Sequence, residues 1–369
     1  MTSTNPVPVA IGTIALALAL ALAGSVRAAT FCVHTSAELQ SALQEAKLNG
    51  QDDTIRIATG NYPAPSGGFV YWAIEVFDQD DFGLDISGGW VDAINIPCLL
   101  QVQDPLQTVL DGASSEQVMR ITVREHGNVS LRLLTLANGM ALGSHGGGLE
   151  LSSGSGFSAT WTLERVAFIS NQSQNGGALY IHQTSAASSA RIRLINNLFV
   201  LNHATVNSGA AHVVLDGGTG IYATNNTVVD NSTDGIVGGL SIGGSGTVRF
   251  IANNNLWDND GADLEVASGS SGYQLLHNNI GLRLGSTPGQ ASGNMAVQPE
   301  YQSGLFNYTP TRNSPLVDAG INPPPINLGY WYLSVRDMAG AVRRIGNVDI
   351  GAFEQDRIFA NGFQSGTPF

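Results

Sequence analysis

The feature that most constrains this chain is an internal repeat, because a fixed period of some 20–50 residues implies stacked units and not a single compact core. Asn138, Asn171, Asn202, Asn231 and Asn259 form one column, with steps of 33, 31, 29 and 28 residues. Each closes a similar phrase, such as Phe168-Ile169-Ser170-Asn171 or Val228-Val229-Asp230-Asn231. After the first four comes a glycine-led phrase: Gly147-Gly148-Leu149, Gly177-Ala178-Leu179, Gly209-Ala210-Ala211 and Gly238-Gly239-Leu240. Within the units, apolar and polar residues alternate, as in Leu179-Tyr180-Ile181-His182, the period of a strand with one buried face. Asparagine pairs at Asn196-Asn197, Asn225-Asn226, Asn254-Asn255 and Asn278-Asn279 suit corners, since asparagine tolerates a left-handed backbone.

These signals predict an all-β fold, a single-stranded right-handed parallel β-helix over residues 29–309, one coil per unit. Leu, Ile, Val and Phe would stack inside it in columns at the strand spacing of roughly 4.8 Å. A propeller lacks its Trp-Asp signature here, and a leucine-rich horseshoe lacks helical segments and leucine spacing. Solenoid ends need covers. Ser36-Ala37-Glu38-Leu39 resembles a capping box, and Leu39, Leu43, Ala46 and Leu48 mark a capping helix at about 36–49 that ends around Gly50. Thr54–Ile57, Ala73–Val76 and Leu84–Gly89 read as the first strands. Toward the far end the period fades and prolines gather at Pro310, Pro315 and Pro323-Pro324-Pro325, so 310–355 reads as a C-terminal cap and 356–369 as a tail.

The run Val9 to Ala23 has the length of a signal-peptide hydrophobic region, with Val26-Arg27-Ala28 as a small-x-small cleavage site. Residues 1–28 therefore read as a signal peptide, with a buried helix as the alternative. No later stretch reaches spanning length, so no transmembrane segment is expected in the mature chain. Cys32 and Cys98 are the only cysteines. In an exported chain they suggest one disulfide, worth about 4 kcal/mol in the chain-entropy model, with two buried thiols as the alternative. Two cysteines with no histidine at a fitting spacing do not suggest zinc. Sixteen Lys and Arg face 29 Asp and Glu, and Lys47 is the only lysine. That balance excludes a nucleic-acid footprint.

Several phrases carry a family resemblance. Phe168 to Asn171 with Gly176-Gly177-Ala178 resembles the repeats of chlamydial polymorphic outer-membrane proteins and other pectate-lyase-like β-helices. Asn313-Ser314-Pro315-Leu316-Val317-Asp318-Ala319-Gly320 is similar to the ending of bacterial choice-of-anchor Q β-helix proteins. Asp337-Met338-Ala339-Gly340, Arg343 and Gly346 to Glu354 continue that likeness. Ile86 to Trp90 before Cys98, and Thr108 to Gly112, resemble the N-terminal half of the same group. Asp356 to Phe363 resembles a short tail of exported gammaproteobacterial proteins, a possible sorting signal. The resemblance implies fold and export to the bacterial surface or medium. It carries no single chemistry.

Stacked outward positions on one sheet are where such a fold displays function. The column beside the glycine phrase is Glu150, Tyr180, His212, Ser241 and Glu265; the next holds Ser152, His182, Val214 and Gly243. Glu150, Tyr180, His182 and His212 would share one patch, suited to acid–base work or to binding sugar hydroxyls. An ordinary solvated face is the alternative. Gln79-Asp80-Asp81, Gly143 to Gly146 and Arg191-Ile192-Arg193 look like polygalacturonase fragments, but their spacing is wrong for paired carboxylates on adjacent coils. Asp230 and Asp258, equivalent in consecutive coils, are weak calcium candidates beside Asp260 and Asp263. His145 and His203 lack the spacing of a transition-metal site. Of the arginines, Arg165, Arg191, Arg193 and Arg249 fall in the central coils, Arg191 and Arg193 on one face.

The expectation is thus an exported β-helix that binds extended polysaccharide or cell-surface glycan without catalysis. The alternative is a polysaccharide lyase or glycoside hydrolase acting from the outward patch. Long loops beside that patch would favour the enzyme, and a smooth sheet would favour binding.

Overall fold

A computed structural model describes residues 28–73, 82–184, 189–267, 272–323, 331–344 and 346–355. Residues 1–27 of the expected signal peptide, Ile74 to Val76, Gln79-Asp80-Asp81, Pro324-Pro325 and the 356–369 tail lie outside the described residues. The remainder is nearly all parallel β-sheet, consistent with a parallel β-helix solenoid. Among the described residues the strands form a wide sheet of 17, a second of eight and a narrow one of four. The eight-stranded sheet is called the ladder sheet below.

Successive coils pair in parallel, rung on rung. Inside the wide sheet, Ile55, Ile86, Leu131, Leu163, Leu194, Ala223, Ile251 and Leu275 form one unbroken column. Inside the ladder sheet, Ile121, Leu151, Ile181, Val213, Ile242 and Val266 form another. Period-2 alternation drives both, because every second side chain leaves water, at roughly 1.5–3 kcal/mol for each large aliphatic residue.

The central coils turn two corners through a residue with positive φ. At the first stand Leu133, Arg165, Asn196, Asn225, Asn253 and His277, with φ from 52° to 58°; at the second, Asn138, Ser170, Leu201, Asp230 and Asp258, from 52° to 57°. Such a backbone costs a non-glycine residue roughly 1–2 kcal/mol. The next residue along offsets that cost. At the first corner Asn197, Asn226, Asn254 and Asn278 are buried and stacked, each Nδ2 donating to the Oδ1 of the next rung at 2.8–3.0 Å. At the second, Asn171, Asn202, Asn231 and Asn259 do the same, and Asp263 ends the series by accepting from Asn259. The asparagine column expected from the repeat therefore needs one correction. Asn138 is the positive-φ residue of its coil, and Gly139 occupies the ladder rung, its N–H donating to Asn171 Oδ1.

The N-terminal helix spans Ser36–Ala46, and its N-cap is Thr35, whose hydroxyl accepts from Glu38 N while the Glu38 carboxylate accepts from the Thr35 N–H. The capping box thus begins one residue before Ser36. Leu39, Ala42, Leu43 and Ala46 are buried against the first coils, whereas Leu48 lies past the helix and is exposed. Cys32 and Cys98 form a disulfide that ties the first strand to the hairpin Leu84–Ala93 and Ile96–Gln101.

The segment after the coils, expected to close the far end, runs back along the flank in its described part. His277 Nδ1 bonds to Ala319 O, and the Nδ2 groups of Asn253, Asn225 and Asn196 donate to the carbonyls of Ile321, Asp349 and Arg336. Positive-φ corner side chains thus point outward and hold this strap. Under it, Ile169, Leu198, Val200 and Val229 on the outer wall of the wide sheet meet Met338, Ala352 and Phe353 in a second apolar core. The last strand, Gln290–Ser292, keeps its residues exposed.

Candidate functional site

The outer face of the ladder sheet carries the sequence-predicted residues in register. Arg120, Glu150, Tyr180, His212, Ser241 and Glu265 occupy six consecutive rungs. Thr122, Ser152, His182, Val214 and Gly243 form the column beside it. Alternation alone decides this, since the neighbours of each residue along its own strand face the core.

The rungs are linked by polar and ring contacts. Arg120 Nε donates to Glu150 Oε2 at 3.0 Å, and Arg120 Nη2 to Gln117 Oε1 at 2.8 Å. Tyr180 lies between two imidazoles: its ring centroid is 4.4 Å from His145 and 5.7 Å from His212, with interplanar angles of 24° and 8°. The phenol and the two imidazoles thereby form a stack of three rings on this face. Burial holds His212 below the ordinary histidine range, Glu265 opposing and His145 assisting, and its Nδ1 lies 3.1 Å from Ser208 Oγ. Burial, aided by Glu150, raises the Tyr180 phenol. Both shifts favour the neutral forms of Tyr180 and His212, which lie between the Arg120–Glu150 pair on one side and Glu265, which accepts from Ser241 Oγ at 2.7 Å, on the other. His182, half-buried in the adjacent column, joins the patch with its ring centroid 6.4 Å from that of Tyr180 at 59°, and its Nε2 lies 3.9 Å from Asp216.

The fully described connections from this face back to the wide sheet include the short stretches 154–159, 216–219 and 245–247. On the other edge, Gly146 and Gly176 have positive φ, and a Cβ at either would strike a leucine carbonyl. That edge is held tight against the sheet.

Sequence reasoning missed Arg120, His145 and Gln117 as parts of this face. Arg120 stands one coil before Glu150, where Glu116-Gln117 replaces the glycine phrase that marks the other coils. Asn175 Nδ2 holds His145 Nδ1 at 3.2 Å, which turns the ring onto Tyr180 from a neighbouring strand.

A second polar surface lies outside the wide sheet, between the hairpin and the strap. Here Ser87, Trp90, Gln101, Gln103, Arg132, Glu164, Arg165 and Arg336 line a cleft of about 460 Å³. Arg132 pairs with Asp85 through both nitrogens of its fork, and Glu164 Oε2 accepts from the Tyr332 hydroxyl at 3.3 Å. Arg165 donates to the side chain and carbonyl of Gln103 while its buried Nε has no partner. A shallower trough continues past Asp85 to Arg193, which stands 5.8 Å from the centre of the Tyr332 ring. Of the four central arginines, Arg191 and Arg193 face outward, Arg165 sits at a corner, and Arg249 points inward where earlier coils have Ile192 and Ile221. Its guanidinium is capped by the carbonyls of Gly244 and Gly246.

His145 and the Arg191-Arg193 pair of the glycosidase-like fragments lie on different sheets. Asp230 and Asp258 are exposed corner residues on adjacent rungs, and Asp230 accepts from the Tyr308 hydroxyl at 3.0 Å. Asp263, close in sequence, is occupied in ending the asparagine ladder and accepting from Leu282 N. His203 bonds to Ser232 and approaches Asp234 at 3.8 Å. No helix among the described residues is long and apolar enough to cross a membrane. The chain matches no known family model, no curated protein and no solved structure.

Proposed function

We propose that the protein is an exported, right-handed parallel β-helix of the choice-of-anchor Q kind that binds extended polysaccharide or cell-surface glycan along its ladder face, without catalysis. One observation carries this reading: a six-rung outward column of polar residues from Arg120 to Glu265 in unbroken register, beside which the described turns are short. The rungs repeat at roughly 4.8 Å, on the scale of one pyranose ring, so an extended glycan can meet successive polar tips in step. An open face suits binding, because catalysis needs water excluded and groups converging on one bond. Export is supported by the disulfide.

The test is retention of the mature chain on a panel of immobilised neutral and acidic glycans, with assays for unsaturated products and reducing ends run beside it. Retention on one glycan, weakened about tenfold or more by Tyr180→Ala or His212→Ala and without product, is expected. Product formation lost in those variants would replace binding by an enzyme at this face.

A second reading is favoured by the arginine-lined cleft outside the wide sheet. If the protein is a lyase or hydrolase, that cleft is the better place for chemistry, with Glu164 beside Arg132 and Arg165 to pair a uronate carboxylate. Product formation abolished by Glu164→Gln and untouched by Tyr180→Ala would select it.

A further inference from the structure

The disulfide sits inside a set of metal-binding side chains. Sγ of Cys32 and of Cys98, a ring nitrogen of His34 and a carboxylate oxygen of Asp92 all lie within 4.8 Å of one another. His34 Nε2 is 3.1 Å from both Asp92 oxygens and 3.9 Å from Cys32 Sγ. We propose that, once the Cys32–Cys98 bond is reduced, these four residues form a tetrahedral zinc site.

Two elements each supply two ligands. Cys32 and His34 are two residues apart at the end of the strand Ala29–Val33, so strand alternation puts both on its outer side. Asp92 and Cys98 flank the turn of the hairpin, and Asp92 Oδ1 accepts the Cys98 N–H at 2.9 Å, which fixes carboxylate and cysteine relative to each other. Zinc bound to sulfur at about 2.3 Å and to nitrogen or oxygen at about 2.0–2.1 Å places its ligand atoms roughly 3.3–3.8 Å apart. The His34 contacts already fall near that range, and the sulfurs reach it once no longer bonded to each other. Two thiolates with an imidazole select zinc or cobalt over calcium or magnesium.

Charge fits as well. Arg56 is the rung partner of Cys32, and its Nη1 donates to Cys98 O at 3.2 Å. A guanidinium there favours both thiolates. Two thiolates and a carboxylate, set against a divalent ion and one guanidinium, leave the cluster neutral. His34 and Asp92 are exposed, and Cys32 is partly so, which gives access to both metal and reductant.

The reduction is balanced by a dithiol. Its thiolate attacks Cys32 Sγ, the Cys98 thiolate leaves, and the second thiol of the reductant resolves the mixed disulfide, releasing Cys32. The reductant becomes a cyclic disulfide, having given up two electrons and two protons. Zinc then binds the two cysteines as thiolates, and their protons go to solvent. A covalent link between first strand and hairpin is replaced by a metal link between the same elements.

Cobalt(II) is the probe, added to the full chain after reduction with a water-soluble phosphine. Visible bands of tetrahedral cobalt with a sulfur-to-metal charge-transfer band are expected, displaced by zinc and absent from the oxidised chain. His34→Ala and Asp92→Ala, both at exposed positions, should each weaken cobalt binding by at least about tenfold. Circular dichroism of the oxidised variants checks that they fold. A reduced chain that stays colourless at saturating cobalt, folded or not, overturns the proposal. So do bands whose affinity neither variant changes.

Discussion

The two outward surfaces of the stack share one backbone and treat their side chains in opposite ways. On the ladder face, polar residues stand in single file on the outer side of the sheet, most of them half-buried, and Arg120–Glu150, Tyr180–His212 and Ser241–Glu265 meet as neighbouring rungs. On the strap side, the stretch of the wide sheet's outer wall formed by Ile169, Leu198, Val200 and Val229 is apolar, and a returning segment covers it and buries a charged knot. In that knot Arg343 is fully buried; its Nη2 donates to the carbonyls of Asp349 and Gly351, and its Nη1 lies 3.4 Å from Glu354. Asp337 accepts from the N–H groups of Ala341 and Glu354, and Asp349 from those of Asp318 and Gln355. These are the phrases that resemble the choice-of-anchor Q ending. Here they fasten a strap, and the lesson is that a recurrent motif of charged residues can be a device of folding.

Removing the knot should separate the two surfaces most. Arg343→Ala leaves buried carboxylates facing one another, a loss of about 3–5 kcal/mol. The expected outcome is rapid protease cleavage within 310–355 while the coils remain resistant, read by mass spectrometry of the fragments. Equal loss of protection across the coils would mean that the strap and the stack fold as one unit.

Acid and base should then act on opposite sides. Burial raises Glu354 to about 8 and Asp349 to about 6, with Arg343 opposing in both, because one guanidinium cannot neutralise three buried carboxyls. The folded state therefore holds protons that the unfolded chain releases near pH 4–4.5, so this contribution is full below that range and is lost as pH rises through about 6 and then 8. Stability measured by urea unfolding should fall by the order of 1–3 kcal/mol between pH 5 and 8, and Glu354→Gln should flatten the slope. A slope unchanged in that variant would remove Glu354 as its source.

His212 on the ladder face has the reverse sign. Its folded pKa lies below 6.5, so the unfolded chain takes up the proton first, and stability present above pH 6.5 is lost as pH falls through the folded value. His212→Phe should remove this acid sensitivity, seen as a smaller drop in Tm between pH 7 and 5. An unaltered acid limb would place the titration elsewhere. The smallest effect belongs to Arg120→Ala: its pair with Glu150 is only half-buried, at the outer side of the sheet, so it should cost about 1 kcal/mol and be weakened further by salt. A loss as large as that of Arg343→Ala would erase the distinction between an open face and a buried knot.

Much of the architecture was legible in the repeat. The strand phrases, the register of Glu150, Tyr180 and His212, and the corner asparagines all follow from a period that the sequence displays. The slip at Asn138 shows where legibility ends. Asparagine serves both as a positive-φ corner and as a buried ladder rung one position later, and a sequence column cannot separate those roles without backbone angles. Arg249 shows it again, since an arginine on an alternating strand reads as outward until the glycine carbonyls that cap it are seen. The ring partner His145 was hidden because its strand belongs to another sheet.

The sequence by itself determined the coil period, the alternation that fills the core, the helix near the start and the outward identity of the ladder residues, because these depend on contacts at a fixed offset along the chain. Only the tertiary structure decided where the 310–355 segment lies, which polar groups share a cleft, and which residues surround the disulfide. Those arrangements include pairs far apart in the chain, such as His34 with Asp92, 58 residues apart, and Glu164 with Tyr332, 168 apart. No period relates them, and what brings them together is the apolar wall that the strap must cover and the hairpin that the disulfide holds.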